Sequence, residues 1–152
     1  MRSSYNEPYF DYNKDTGETT CILTDGYNSF YGIAICNEND KDMQSEMTGS
    51  QIALWRATIK YLKHIKDNEI QPKLKALYQL YYSMNTSKKF NPKSYENIML
   101  WRQIRNYEND LIAINEQLAT IKQELKDYIA QKDEFYKKIR KHRESEKKGK
   151  IN

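Results

Sequence analysis

The feature that most constrains the fold is a long heptad pattern in the second half of the chain. Apolar residues alternate spacings of four and three from Leu100 to Tyr128, and Lys132 and Phe135 keep the same register. One position of the repeat holds Ile104, Leu111, Leu118 and Leu125, and the other holds Leu100, Tyr107, Ile114, Ile121, Tyr128 and Phe135. Such spacing is typical of a helix whose apolar seam packs on another helix. Asn91 and Pro92 are residue types favoured at a helix start, so the sequence predicts a helix over residues 93–143.

This predicted helix is too long for one compact domain to cover. At 1.5 Å per residue it would be about 75 Å long, whereas a compact chain of this size is only about 40 Å across. Part of the seam can pack on a helix of the same chain, and the rest would be exposed unless a second subunit covers it. Leu and Ile at the two seam positions disfavour a simple parallel dimer, and antiparallel pairing is equally open. We expect a homo-oligomer, at least a dimer.

The first third of the chain predicts a small antiparallel β-meander. Residues 9–12, 19–24 and 30–36 are candidate strands, and the second and third are rich in the β-branched and aromatic residues that strands favour. Asp25-Gly26 is a strong hairpin signal between those two strands.

The hairpin fixes which residues face each other. It pairs Cys21 closer to Gly32 than to Cys36, so each cysteine is expected to be a buried free thiol. Gly32 inside a strand indicates a bulge or a close approach of another backbone.

From residue 50 the apolar period becomes helical. The first stripe holds Ile52, Trp55, Ile59 and Leu62, and the second, shifted by one residue, holds Ile70, Leu74, Leu77, Tyr81 and Met84. Pro72 lies near the shift, and it either starts a second helix or kinks one long helix.

The predicted fold class is therefore α+β: a small N-terminal antiparallel β-meander followed by long α-helices that form a helical-hairpin or coiled-coil oligomer core. We expect one domain overall. Its segments are a meander with an acidic loop (1–49), long helices with a ligand loop at 86–95 (50–143), and a basic flexible tail (144–152).

Charge is concentrated at the two ends of the chain. Residues 1–47 carry three cations against nine carboxylates, a net charge of −6, and residues 137–150 carry eight cations against two carboxylates, a net charge of +6. Basic tails can bind nucleic acid, although a solvated helix end is the more common reason for such a run.

The sequence also bears on the cellular compartment in which the protein works. No apolar run approaches the ~18 residues needed to cross a membrane, and the N-terminus lacks the apolar stretch of a signal peptide. Two cysteines are too few for a disulfide framework. We expect a soluble, intracellular protein with no membrane partner.

Catalytic and metal-binding patterns are missing from the sequence. His64 lies between lysines and His142 lies in the basic tail, and each is more typical of a surface residue than of a base. No Cys/His cluster has zinc-ligand spacing, and no glycine-rich phosphate loop is present. We predict a protein that is not an enzyme, with no catalytic residue, metal or cofactor.

One stretch does suit a phosphorylated, base-bearing ligand. It combines lysines, aromatic residues and a predicted helix start, which favours phosphate. The candidate ligand-binding residues are Arg56, Tyr81, Phe90, Asn91, Arg102 and Arg105, with further phosphate contacts from Lys88, Lys89 and Lys93. Aromatic rings can stack on a base, and guanidinium groups suit pyrophosphate. The alternative interpretation is a solvated basic loop beside core aromatic residues.

Two short patterns carry a family resemblance. The first is Gly32-x-Ala34-x-Cys36, followed by Asp40, Gly49, Ala53 and Arg56-Ala57, and the second is Lys88-Lys89-Phe90-Asn91-Pro92-Lys93-Ser94-Tyr95. With the long C-terminal helix, they resemble the first-described Thoeris anti-defence proteins of phages, over roughly residues 20–145.

The resemblance implies a sponge that sequesters a cyclic ADP-ribose signal, such as glycocyclic ADP-ribose, without cleaving it, so that the Thoeris immune effector stays inactive. It also implies a homo-oligomer, a dimer or a multiple of dimers such as a hexamer, with ligand pockets between subunits. Cyclic di- or trinucleotides are further expected ligands at separate sites. The implied location is the cytoplasm of the infected bacterial host. The family's arginine, aromatic and asparagine pocket groups would match Arg56, Tyr81 or Phe90, Asn91, and Arg102 or Arg105.

Two rival functions stay open at this point. A small phage nucleic-acid-binding regulator would hold a duplex through its basic tail, with steep salt dependence. A coiled-coil adaptor or structural protein would use the heptads as its function and bind no small ligand.

Overall fold

The computed structural model describes residues 7–35, 46–86, 91 and 93–151. Three strands come first: β1 (Tyr9–Asn13), β2 (Glu18–Thr24) and β3 (Ser29–Ile35). Three α-helices follow: α1 (Glu46–Ile65), α2 (Gln71–Asn85) and α3 (Tyr95–Ile151). This order confirms the predicted α+β class with an N-terminal β-meander. The predicted acidic loop at 37–45 and Cys36 lie outside the described residues.

The chain divides into two compact units. The first contains residues 1–60 and 120–152, and the second contains residues 61–119. None of the helices in the described ranges combines the length and the apolar character that a bilayer-spanning segment needs.

The sheet of the first unit is an antiparallel meander with the order β1-β2-β3. Cys21 faces Gly32 across the second pair, as the sequence predicts. The Asp25 amide donates to the Asn28 carbonyl at 3.2 Å to close a two-residue turn. The Asp25 carboxylate also accepts hydrogen bonds from the amides of Tyr27 and Asn28. Gly26 has φ +96°, so glycine suits this turn because it lacks a Cβ.

Gly32 permits a backbone-to-backbone contact between β3 and α1. A Cβ at Gly32 would collide with the Ala53 carbonyl oxygen and the Ala57 amide nitrogen. Both alanines are completely buried. The close approach expected at Gly32 is therefore confirmed, and its cause is a helix crossing directly over the strand.

Helix α1 uses two opposite faces within the first unit. The face with Ala53 and Ala57 packs on β3. The apolar stripe predicted from sequence lies on the opposite side and is half-buried, with the Trp55 ring 5.2 Å from the Tyr128 ring in an edge-to-face contact. Residues 46–60 of α1 thus lie between the sheet and α3, and the small-residue face makes the tighter contact.

A π-helical segment, Lys66–Ile70, joins α1 to α2. The Gln71 amide bonds to the Lys66 carbonyl, five residues earlier. A π turn adds one residue to the helical repeat, which explains why the apolar stripe shifts by one residue here. Pro72 follows in the first turn of α2, where its missing N–H costs little. The question of one helix or two has an intermediate answer: a continuous helical path with a π insertion.

In the second unit, α2 packs on the first part of α3. Leu74, Leu100 and Ile104 form its buried core. Partly buried residues surround them, namely Leu77, Tyr78, Tyr81, Met84, Tyr107 and Leu111. The predicted helical hairpin is thus present, and large side chains fill it.

Helix α3 differs from its prediction in length and in phase. It starts at Tyr95 and extends to Ile151, so residues 144–151 of the predicted basic tail are helical. Its buried positions include Leu100, Leu118 and Tyr136, whereas Phe135 is 55% exposed. Phe135 therefore belongs to the part of the predicted seam that the single chain leaves exposed, and the buried face at this end of α3 holds Tyr136. The spacing of 18 residues corresponds to five turns of a straight helix, from which a strict heptad drifts by about 20° per repeat.

Candidate functional site

The C-terminal turns of α2 and the first turns of α3 present an aromatic cluster, defined as Tyr81, Tyr82 and Trp101. The rings of Tyr81 and Trp101 are 5.5 Å apart and inclined by 38°. Tyr82 meets Tyr81 edge-on at 6.2 Å. Tyr82 is 66% exposed and Trp101 is 46% exposed. The cluster is thus anchored in the core through Tyr81, and its other two rings are open to a flat ligand.

Two predicted cations lie near Trp101 on α3. Arg105 lies four residues after Trp101, one helical turn away on the same face, whereas Arg102 follows Trp101 directly and lies on the adjoining face. Both arginines are exposed. The arrangement places guanidinium groups beside an aromatic surface, which suits a molecule with both a base and a phosphate.

Contacts between α2 and α3 hold this end of the second unit in place. Tyr78 hydrogen-bonds Glu108; burial raises the pKa of the Tyr78 phenol above its usual value, and the bond to Glu108 raises it further. The Lys73 ammonium lies 5.8 Å from the centre of the Tyr107 ring, within cation–π range. The two helices are therefore tied by polar contacts as well as by the Leu74 and Ile104 core.

The start of α3 differs from the prediction. Asn91 does not cap the helix directly, because its side-chain oxygen accepts a hydrogen bond from the Lys93 amide at 3.0 Å. Ser94 caps the helix instead, since its hydroxyl accepts from the Asn97 amide at 3.3 Å. Asn91 and Lys93 are exposed, and the predicted contacts Lys88, Lys89 and Phe90 lie outside the described residues.

Arg56 belongs to the first unit, so the site in the second unit is built without it. Its guanidinium donates to the Ile33 carbonyl at 2.6 Å. Hydrogen-bonded pairs alternate along an antiparallel ladder. Because Asp25 and Asn28 form one such pair, Ile33 and its partner Thr20 fall on a non-bonded pair. The Ile33 carbonyl therefore points away from β2, and Arg56 caps the free edge of β3.

That contact gives a structural explanation for part of the first pattern of the family resemblance, which runs from Gly32 to Ala57. Gly32, Ala53 and Ala57 make the close crossing of β3 and α1, and Arg56 bonds the same strand. These residues are explained by packing in the chain itself.

Sequence reasoning missed two residues of the second unit. Trp101 lies one position past the seam residue Leu100, and a large aromatic residue beside the seam and before an arginine was the available signal. Asn97 is only 5% exposed, and its side-chain oxygen has no hydrogen-bond partner among the residues that the structure describes. Nothing in its spacing distinguishes it from a surface asparagine.

The described part of the chain offers little for catalysis or metal binding. No group of three His, Cys, Asp or Glu side chains among residues 7–35, 46–86, 91 and 93–151 is placed to hold a metal ion. His64 is close to the Asn68 side chain at 3.0 Å, and His142 pairs with Glu146 at 3.0 Å. Burial raises the pKa of the Cys21 thiol, which disfavours the reactive thiolate.

No family model matches the chain, and no curated protein or solved structure is detectably similar to it. The site is therefore interpreted from its own residues.

Proposed function

We propose that the chain is a phage anti-defence sponge, which binds and sequesters a cyclic ADP-ribose-type nucleotide such as glycocyclic ADP-ribose without cleaving it. The observation that carries this proposal is the aromatic cluster with its two exposed rings, together with Arg105 on the helix face of Trp101 and Arg102 on the adjoining face. Removing the signal from solution would keep the Thoeris immune effector inactive. This action requires tight binding alone.

The chemistry of the ligand divides between the two kinds of side chain. Trp101 and Tyr82 supply exposed faces for the adenine ring, and stacking contributes ~1–3 kcal/mol per base. The guanidinium groups of Arg102 and Arg105 supply paired donors for the pyrophosphate, and a charge-assisted hydrogen bond contributes ~1.5–3 kcal/mol. A cyclic dinucleotide ligand would use the same chemistry.

Pre-organisation supports a binding role for this surface. Tyr81 fixes the angle of Trp101, and the Tyr78–Glu108 hydrogen bond ties α2 to α3. A site that is already ordered loses less conformational entropy on binding. In the oligomer that we propose, a second copy would close over this face and desolvate the phosphate contacts.

Fluorescence tests the site directly, because the chain has only two tryptophans. In a Trp55→Phe background, Trp101 is the sole tryptophan, so stacking of a base on it should quench the emission during titration with cyclic ADP-ribose isomers. By isothermal titration calorimetry, which needs no tryptophan reporter, Trp101→Ala and Arg105→Ala should each raise the dissociation constant roughly 10–100-fold.

Matched controls separate the site from general effects. Tyr27→Ala removes a ring that is 96% exposed in the hairpin turn, and Lys122→Ala removes an exposed cation further along α3. Both should bind as the unmodified chain does. Equal affinity in Trp101→Ala, Arg105→Ala and the controls would refute the site assignment.

A further inference from the structure

The outer face of the sheet carries exposed apolar side chains that no described element covers. Tyr9, Ile22 and Tyr31 form one row across the three strands. On β3, Tyr31 is 48% exposed, Ile33 42% and Ile35 69%. An antiparallel sheet with one solvated face normally shows polar residues there, so the exposed apolar side chains along β3 and across this row indicate an interaction surface.

Carboxylates border this face on the other two strands. Asp11 and Thr20 share a row with Ile33, and Glu18 shares a row with Ile35. Residues 7–35 carry five carboxylates against a single lysine. The chemistry of the face therefore suits an apolar anchor flanked by cations.

The end of α3 has the complementary properties. Phe135 is 55% exposed, and residues 141–149 are exposed on every side of the helix. A helix that buries none of its faces is marginal in water. Residues 131–149 carry eight cations against four carboxylates, and seven of those cations lie in residues 137–149. This segment needs a surface to pack on, and that surface should be acidic.

We propose that the outer face of the sheet binds the end of α3, residues 131–149, from a second copy of the chain. The β3 side chains of this face, Phe135 and residues 141–149 are exposed in the single chain, whereas Tyr136 is buried within it. A twofold dimer would satisfy both surfaces of both copies at once, because each copy provides one sheet and one helix end. Phe135 anchors on Ile33 and Ile35, and the lysines approach Asp11 and Glu18.

A charge-exchange experiment tests this pairing. One variant reverses the sheet (Asp11→Lys with Glu18→Lys), and the other reverses the helix (Lys138→Glu with Lys141→Glu). Each alone brings like charges together in its homodimer, so the dimer dissociation constant measured by sedimentation velocity should rise roughly tenfold or more. Mixed together, the two variants should form a heterodimer, because both of its interfaces regain opposite charges.

The control makes the same charge change as the sheet variant, but on residues of the second unit. Asp110→Lys with Glu116→Lys alters two exposed carboxylates of α3 in the second unit, and this variant should dimerise normally. Circular dichroism checks that all variants fold. Dimers unaffected by either reversal, an unmodified chain that is monomeric, or a mixture that stays monomeric would each overturn the proposal.

A cross-link locates the contact without charge changes. A photoreactive phenylalanine analogue at position 135, in a mixture of heavy- and light-isotope chains, should link to residues 31–35 of the other copy. Links only within one chain, or links to α3 of the second copy, would contradict the proposed interface. Both measurements concern assembly alone, so neither depends on whether the nucleotide proposal holds.

Discussion

The two units of the chain use opposite kinds of packing. In the first unit, β3 meets α1 backbone to backbone, with Gly32 against Ala53 and Ala57. In the second unit, α2 and α3 are held apart by large side chains, with Leu74 and Ile104 in the core. A contact between backbones leaves no room for adjustment, whereas a contact between side chains can relax. The half-exposed aromatic rings of the candidate site, Tyr82 and Trp101, lie in the second unit.

The largest effect is expected at the backbone contact. Gly32→Val would drive a branched side chain into the Ala53 carbonyl and the Ala57 amide, and overpacking of this kind should cost at least ~3 kcal/mol. Urea unfolding should show this loss, and hydrogen exchange should locate it in residues 7–60. Gly149→Ala is the control, because nothing lies near an added Cβ there and alanine favours a helix. Equal stability of the two variants would contradict the close crossing.

Shortening a core side chain of the second unit should lower the free energy of unfolding while the fold is kept. Ile104 is completely buried, and Ile104→Ala should cost ~2–5 kcal/mol through lost burial and a residual cavity. Exchange should rise in residues 61–119 while the sheet stays protected. The exposed neighbour Gln103→Ala is the control and should be nearly neutral. An equal loss of exchange protection in both units would show that they unfold together and would remove the contrast between them.

A smaller effect is expected at the hydrogen bond that ties α2 to α3. Tyr78→Phe removes the bond to Glu108 and should cost about 1 kcal/mol at neutral pH. Because the folded pKa of Tyr78 is raised above its unfolded value, this residue's contribution is complete below about pH 10 and is lost as pH rises through the folded pKa. The difference between the unmodified chain and Tyr78→Phe should therefore shrink at alkaline pH. A difference that is constant with pH would argue against the raised pKa.

The smallest effect is expected in the chemical reactivity of the Cys21 thiol, in the first unit. Burial raises the pKa of Cys21, so its thiol should react with an aromatic disulfide reagent far more slowly in the folded chain than in urea. The measurement needs a Cys36→Ser background, which leaves Cys21 as the only thiol. Fast reaction of the folded protein would show that the sheet's inner face opens readily.

The sequence predicts the strands and the helical hairpin well, because alternation and long periodic stripes are strong signals. The sequence does not reveal the face of α1 that packs tightly on β3, because Ala53 and Ala57 contribute little hydrophobicity but allow close approach. It does not show that Tyr136 is buried at the end of α3, because a strict heptad ignores the drift of a straight helix. The π segment was visible only as a shifted stripe. Among candidate site residues, Arg102 and Arg105 could be read from spacing, whereas the contact of Trp101 with Tyr81 depends on tertiary packing.

Ligand capture tests the central claim most directly. The protein would be incubated with extract from cells in which a Thoeris TIR enzyme has been triggered, and its complexes would be weighed by native mass spectrometry. We expect a bound mass equal to that of cyclic ADP-ribose, released unchanged by heat, and absent from a Trp101→Ala/Arg105→Ala double variant that keeps its oligomeric state. An oligomer that carries no nucleotide, or a double variant that binds as well as the unmodified chain, would contradict the account.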